Sequence, residues 1–326
     1  MTTAHHLKSR LYLENIKAAT RTIDPVFLNS PQFESQKLGE LLGMKLVFKV
    51  ETLNPIRSFK GRGADFFVSQ LPDGFPRLVC ASAGNFGQGM AYAARKRGLP
   101  LVVFAAENAS PVKLEAMREL GAEVRLHGSD LDEAKNRARA FAQKSGMYFV
   151  EDGREPSISE GAGTLAVELC RWPEAFDAVL VPLGNGALLA GIGRWMKAHS
   201  PSTQIIGICA AGAPSMAISL REKKVHTTDA VNTIADGIAV RLPIPEALTD
   251  LEGLVDDVLL AEDDTIIEAM RLIFQHHGLV VEPAGAAGLA AALACQQRFR
   301  GQLVATPLCG GNMTSAQTRR WLLPPE

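Results

Sequence analysis

Along the 326 residues, short continuous apolar runs alternate with longer stretches in which apolar residues recur every three or four positions. The short runs fall at 45–50, 77–81, 101–105, 123–126, 148–151, 178–182, 204–210 and 303–308. Most are rich in Val, Leu and Ile and have no polar face, so they read as strands covered on both sides. Helical spacing falls at 87–97, 111–120, 131–144, 161–170, 188–199, 263–277 and 284–298. Buried strands alternating with helices predict an α/β fold of open, largely parallel sheets covered by helices. Between 77 and 151 the strands follow one another closely. That spacing predicts a small unit, residues 76–155, inserted into a larger one made of 1–75 plus 156–326. The stretch 284–295 is dense in Ala and Gly, which predicts close helix packing rather than a ligand site.

Composition narrows the field by exclusion. Lys plus Arg number 34 against 35 Asp plus Glu, and no basic stripe is present, which argues against a nucleic-acid partner. No apolar run reaches the roughly 18 residues a membrane span needs. Met1 to Arg10 is polar, so no export signal is expected there. The five cysteines are odd in number and lack C-x-x-C spacing. A disulfide framework or zinc site is therefore not expected, and a reducing cytoplasm fits best.

The candidate chemistry lies mainly where strands run into helices. Ser58-Phe59-Lys60-Gly61-Arg62-Gly63 follows a turn at Asn54-Pro55. A lysine in a dry pocket there can act as a nucleophile or Schiff-base former; the plainer reading is a solvated lysine beside Arg57 and Arg62. Ser82, Ala83, Gly84, Asn85 and Phe86 span a small-residue turn into a helix. Amides at such a start bind an anion such as a carboxylate, unless Ser82 or Asn85 simply caps the helix. Gly184, Asn185, Gly186, Ala187 and Leu188 repeat the pattern, now suited to a phosphate. The dinucleotide fingerprint fails there at Leu189, and no Gly-Lys-Ser/Thr follows, so neither NAD nor ATP fits. Cys309 closes a strand, where a side chain faces the crevice of an open sheet or merely packs. Glu282 opens a helix that it can cap. One lysine with two anion loops calls for an aldehyde, a phosphate and an acidic substrate, and pyridoxal 5'-phosphate answers the first two.

These stretches also carry a family resemblance. SFKGRGA at 58–64, ASAGNFGQG at 81–89, EGAGTLAVE at 160–168, GNGALLAG at 184–191, TIADGIAV at 233–240, EPAGAAG at 282–288 and CGGN at 309–312 run in family order. Together they resemble the fold-type II, tryptophan-synthase-β-like pyridoxal enzymes, especially the serine/threonine dehydratase (ammonia-lyase) group. The resemblance implies a two-domain fold whose small domain closes on the substrate. It implies an amino-acid substrate, and a homodimer is compatible with it. By position it makes Lys60 the Schiff-base lysine and Asn85 the partner of the cofactor's ring oxygen. Gly184 to Leu188 become the phosphate cradle, and Cys309 the neutral partner of the pyridine nitrogen. Residues 82–84 become the loop that takes the substrate carboxylate. The implied reaction is β-elimination from an L-β-hydroxy-α-amino acid to a 2-oxo acid and ammonia. A β-replacement synthase and a non-catalytic binding homologue are the alternatives.

Several positions depart from the group's pattern. Asn185 and Ala187 interrupt a glycine run, although backbone donors survive both changes. Ala83 stands where racemases carry an acid/base serine, so little racemisation is expected. Phe86 replaces the usual His and raises bulkier substrates such as phenylserine. Residues 211–219 lack a carboxylate, so no divalent-metal site is expected. Arg57 is unusual. It would sense a second substrate carboxylate or, more plainly, pair with a phosphate or acidic neighbour. Little chain follows Cys309, so no C-terminal regulatory domain is expected within it.

Overall fold

A computed structural model describes residues 9 to 323, and the reading made of the first eight positions lies outside it. The strands are β1 (Gln32–Glu34), β2 (Lys45–Val50), β3 (Leu78–Ala81), β4 (Leu101–Ala105), β5 (Glu123–Leu126), β6 (Tyr148–Val150), β7 (Ala178–Pro182), β8 (Gln204–Ala210), β9 (Asp257–Ala261) and β10 (Leu303–Leu308). One sheet has the order β1-β2-β10-β7-β8-β9, the other β5-β4-β3-β6. All pairings are parallel except that of β1 with β2. Every residue of β4, β7 and β10 is buried, as unbroken apolar runs require.

The helices form where amphipathic spacing and end chemistry agree. Leu131–Ser145 starts with Asp130 accepting the Glu133 amide, carries Asp132 and Glu133 in its first turn, and stops at left-handed Gly146. Asn85–Arg97 ends on Arg95, Lys96 and Arg97, cations that suit the negative end of a helix. Some expectations are corrected. The helix expected from 161 begins at Pro156, because proline fits the first helical position. The span 284–298 divides at Cys295 into Pro283–Ala294 and Gln296–Phe299. In Pro283–Ala294 every residue through Ala292 is buried, and the helix packs on β7 and β10, as its Ala/Gly content suggests.

Lys60–Ser69 lies between Asn85–Arg97 and Pro156–Leu169. Its Arg62 is wholly buried and donates to Glu51 Oε2 at 2.8 Å and Glu168 Oε1 at 2.7 Å. Lys49 Nζ lies 2.5 Å from Glu168 Oε2, so two cations and two carboxylates balance in the interior. Burial pushes the Lys49 amine down, while Arg62 and Lys49 hold Glu168 below the usual carboxylate range against its own desolvation. The Phe59 amide and Ser58 Oγ both donate to the Cys309 carbonyl, at 3.1 and 3.2 Å. The entry to the Lys60 helix is thereby tied to the end of β10.

Candidate active site

Phe59, Lys60, residues 82–86, residues 184–188, Glu282 and Cys309 line one cavity of about 440 Å³. The site residues read from the sequence therefore share one enclosure although they come from distant parts of the chain. A second cleft, of about 600 Å³ near Arg221, Lys224 and Asp256, holds none of them.

Lys60 opens its helix, with its amide donating to Ser58 Oγ at 3.3 Å. Its Nζ lies 4.9 Å from the centre of the Phe59 ring and 5.9 Å from that of Phe86. The same nitrogen donates to Asp152 Oδ2 at 2.5 Å. The reading of Lys60 as a freely solvated lysine thus gives way to an amine held between two rings and a carboxylate.

Gly186 adopts φ +93° and turns the chain from β7 into Ala187–His199. The first intrahelical bond there runs from the Ala190 amide to the Gly186 carbonyl. The amides of 186–189 precede it and have no intrahelical acceptor. They form a cradle for an anion, with the helix dipole in its favour.

The other loop differs from both sequence readings of its cap. Gly84, not Ser82 or Asn85, occupies the cap position of Asn85–Arg97. Ser82 Oγ accepts the Gly84 and Gly87 amides at 3.2 and 2.9 Å. Its hydroxyl oxygen shapes the loop, and the Asn85 and Phe86 amides remain for an anion. Asn85 Nδ2 donates to Glu282 Oε1 at 2.5 Å, and its Oδ1 accepts from Asn312 Nδ2 at 2.9 Å. One Asn85 N–H stays available to the cavity. Glu282 makes no side-chain cap; its buried carboxylate accepts from Asn85 and from the Asn312 amide. Desolvation pushes Glu282 up to about 7, against the pull of Lys113 Nζ 4.0 Å away. Burial also pushes the Cys309 thiol up, aided by the Glu282 charge, so this group is neutral.

Arg57 does neither thing expected of it. It is exposed at φ +51°, lies outside the cavity lining, and pairs with no carboxylate among the described residues. Residues 211–219 hold no cluster of metal-binding side chains among those described.

Sequence reasoning missed Asp152 and the bridge in which Lys113 Nζ donates to Asp236 Oδ2 at 2.6 Å. A signal for Asp152 was available, since it follows the end of a parallel strand and precedes a glycine, as the phosphate-type loop does. Gly153 has φ +88°, and a Cβ there would stand 2.5 Å from the Asn185 carbonyl oxygen. The Asp152 turn is consequently docked against the cradle.

A model of the family described as pyridoxal-phosphate dependent enzyme matches residues 23–310. The chain is 33% identical over 303 residues to an L-threonine ammonia-lyase of Thermotoga maritima, covering 92% of this chain and 75% of that one. It is 36% identical over 284 residues to a chloroplastic biosynthetic threonine dehydratase of Arabidopsis thaliana. That match covers 86% of this chain but 48% of the plant protein, so the chain spans about half the length of that relative. A solved threonine deaminase from T.th. superposes with a TM-score of 0.87 at 34% identity, covering 93% of this chain and 98% of that one.

Proposed function

The chain belongs to the family of pyridoxal-phosphate dependent enzymes, and from that premise we propose that it is an ammonia-lyase that dehydrates L-β-hydroxy-α-amino acids. The carrying observation is the Lys60 amine in one enclosure with Gly186, Ala187 and Leu188, whose amides have no intrahelical acceptor. An amine for an aldehyde and a cradle for a phosphate fit pyridoxal phosphate, and a volume of about 440 Å³ leaves space for an amino acid beside it. The relatives named for threonine support the reaction class.

Lys60 holds the cofactor through Nζ and, once displaced, takes the Cα proton on that atom. The 186–189 amides hold the phosphate. Asn85, its amide fixed by Glu282 and Asn312, would offer its remaining N–H to the cofactor's ring oxygen. Cys309 offers the pyridine nitrogen a neutral thiol, which does not hold that nitrogen protonated as a carboxylate would. The Asn85 and Phe86 amides orient the substrate carboxylate, and a mobile unit of 76–155 closes over it and excludes water. Bound pyridoxal phosphate supplies the electron sink that weakens the Cα–H bond and lets the β-hydroxyl depart. Ala83 carries no hydroxyl to return a proton to the opposite face of Cα, so racemisation is minor.

Serine and threonine are substrates in this reading, and so are β-hydroxy acids with larger apolar groups such as phenylserine. Leu131, Val231 and Leu242 support the extension, since they line the cavity while 39%, 40% and 41% exposed. With Phe59 and Phe86 they give a large β-substituent an apolar path. The position of Arg57 speaks against a second substrate carboxylate, as in 3-hydroxyaspartate.

The test is 2-oxo acid release from serine, threonine, phenylserine and 3-hydroxyaspartate by the purified protein with added cofactor. Release from the first three, abolished in Lys60→Ala with the fold retained by circular dichroism, is the expected result. A new amino acid in place of the 2-oxo acid would end the lyase reading.

A further inference from the structure

Asp152 has an environment unlike its neighbour's. Glu151 is met by Arg139, Lys135 and Arg154, and its charge is spent on that cluster. Asp152 has one cationic partner among the described residues, Lys60 Nζ at 2.5 Å. Its side chain is 9% exposed, and its second oxygen, Oδ1, is buried with no hydrogen-bond partner among the described residues. The tight turn at Gly153 holds it against the cradle loop, so the carboxylate is fixed beside the amine.

Asp152 lines the cavity, and a carboxylate oxygen with no protein partner can accept a donor or a proton from what enters there. The amine beside it changes state in that cycle. While Lys60 is joined to the cofactor, Nζ no longer carries the three N–H bonds of an ammonium, and Asp152 loses its donor. The group that then enters is the substrate's α-ammonium, which must give up a proton before its nitrogen can attack.

We propose that Asp152 is a further catalytic residue, the base that takes one proton from the incoming α-ammonium and holds it while Lys60 Nζ is displaced as a neutral amine. The proposal rests on the assignment of Lys60 as the cofactor-bearing lysine. The carboxylate takes a proton from R–NH3⁺, leaving R–NH2 and a neutral Asp152. The free amine replaces Lys60 on the cofactor carbon, and its two N–H hydrogens go to the departing nitrogen. Asp152 keeps its proton, so the neutral Nζ stays free to take the Cα proton. An ammonium and a carboxylate have become a neutral amine and a neutral acid, so charge and atoms balance. The contact of Asp152 Oδ2 with Lys60 Nζ places the carboxylate at the nitrogen where the exchange takes place.

The experiment follows this exchange with glycine, which has no β-leaving group, by rapid-mixing absorbance of the cofactor-loaded protein. Asp152→Asn should retain bound cofactor yet exchange about 10²-fold more slowly near neutral pH. The deficit should close in alkaline buffer, where glycine arrives already deprotonated. A rate equal to native, or a deficit constant with pH, overturns the proposal. If Asp152→Asn holds no cofactor, the readout is labelling of Lys60 by an amine reagent in the apo-protein at neutral pH. Faster labelling than native supports the role, because the charge-assisted hydrogen bond that holds Nζ against the carboxylate is gone; equal labelling overturns it. A native protein that shows no response to glycine refutes the Lys60 assignment itself, a result distinct from the failure of Asp152.

Discussion

Glu282 precedes a helix, where a carboxylate ordinarily caps the first amides. Here it turns inward to Asn85 and the Asn312 amide, and burial pushes it up to about 7 from an ordinary 4.5. Asp236 pushes the same way, and Lys113 opposes both. The folded state therefore holds a proton that the unfolded chain gives up at lower pH. The stability associated with it is complete below about 4.5, falls as pH rises to about 7, and is level above. Denaturant midpoints across that window should show Glu282→Gln gaining on the native protein from pH 4.5 to 7 and holding its gain beyond. Parallel curves would show that Glu282 is ionised throughout. Residues at this scale were legible where a motif named them, as with Lys60, Asn85 and Cys309. Asp152 and Lys113 were not, because their importance comes from neighbours 92 and 123 positions away. The outward face of Arg57 was hidden for the same reason.

Helix Lys60–Ser69 depends on Arg62, whose guanidinium has no access to water and faces Glu51 and Glu168. Removing one member of such a cluster leaves charge stranded in the interior. Arg62→Ala should lower unfolding stability by about 3–5 kcal/mol, measured by chemical denaturation. A loss under about 1 kcal/mol would mean that water fills the vacated space. Most elements were legible because a single physical rule dominated each. Unbroken apolar runs gave β4, β7, β8 and β10, and capping residues bounded Leu131–Ser145. The strands β1 and β9 escaped notice. β1 has three residues, and β9 is an edge strand with Leu260 46% exposed, so neither presents a buried run. The helix Leu13–Thr22 buries just Ile16 and Ala19, too narrow a stripe to stand out.

Across the whole molecule, the cavity has one wall carried by the four-stranded sheet and another by the six-stranded sheet. Ion pairs join them: Lys113 with Asp236, Arg241 with Asp130 and Asp132, and Arg154 with Glu246. Each has at least one partly exposed partner, so these links are weak and sensitive to salt. Beneath them, β7, β10 and the helix Pro283–Ala294 are buried almost throughout. Hydrogen exchange should separate the two walls. Amides of β7, β10 and Pro283–Ala294 should exchange through global unfolding, while those of β5 and Leu131–Ser145 should exchange through local opening. Uniform protection would contradict a yielding roof over a fixed floor. The succession of strands from 77 to 151 made the smaller sheet readable, whereas pairing of β2 with β10 joins segments more than 250 residues apart and leaves no local trace. The Ala- and Gly-rich helix has one more consequence. With no side chain larger than leucine, it has no slack to surrender, and any enlargement along it would be transmitted to the cofactor's bed. Under the proposed function, new substrate tastes would then be acquired at the rim, through cavity-lining positions such as 83, 86, 131, 231 and 242, while the bed beneath stays as it is.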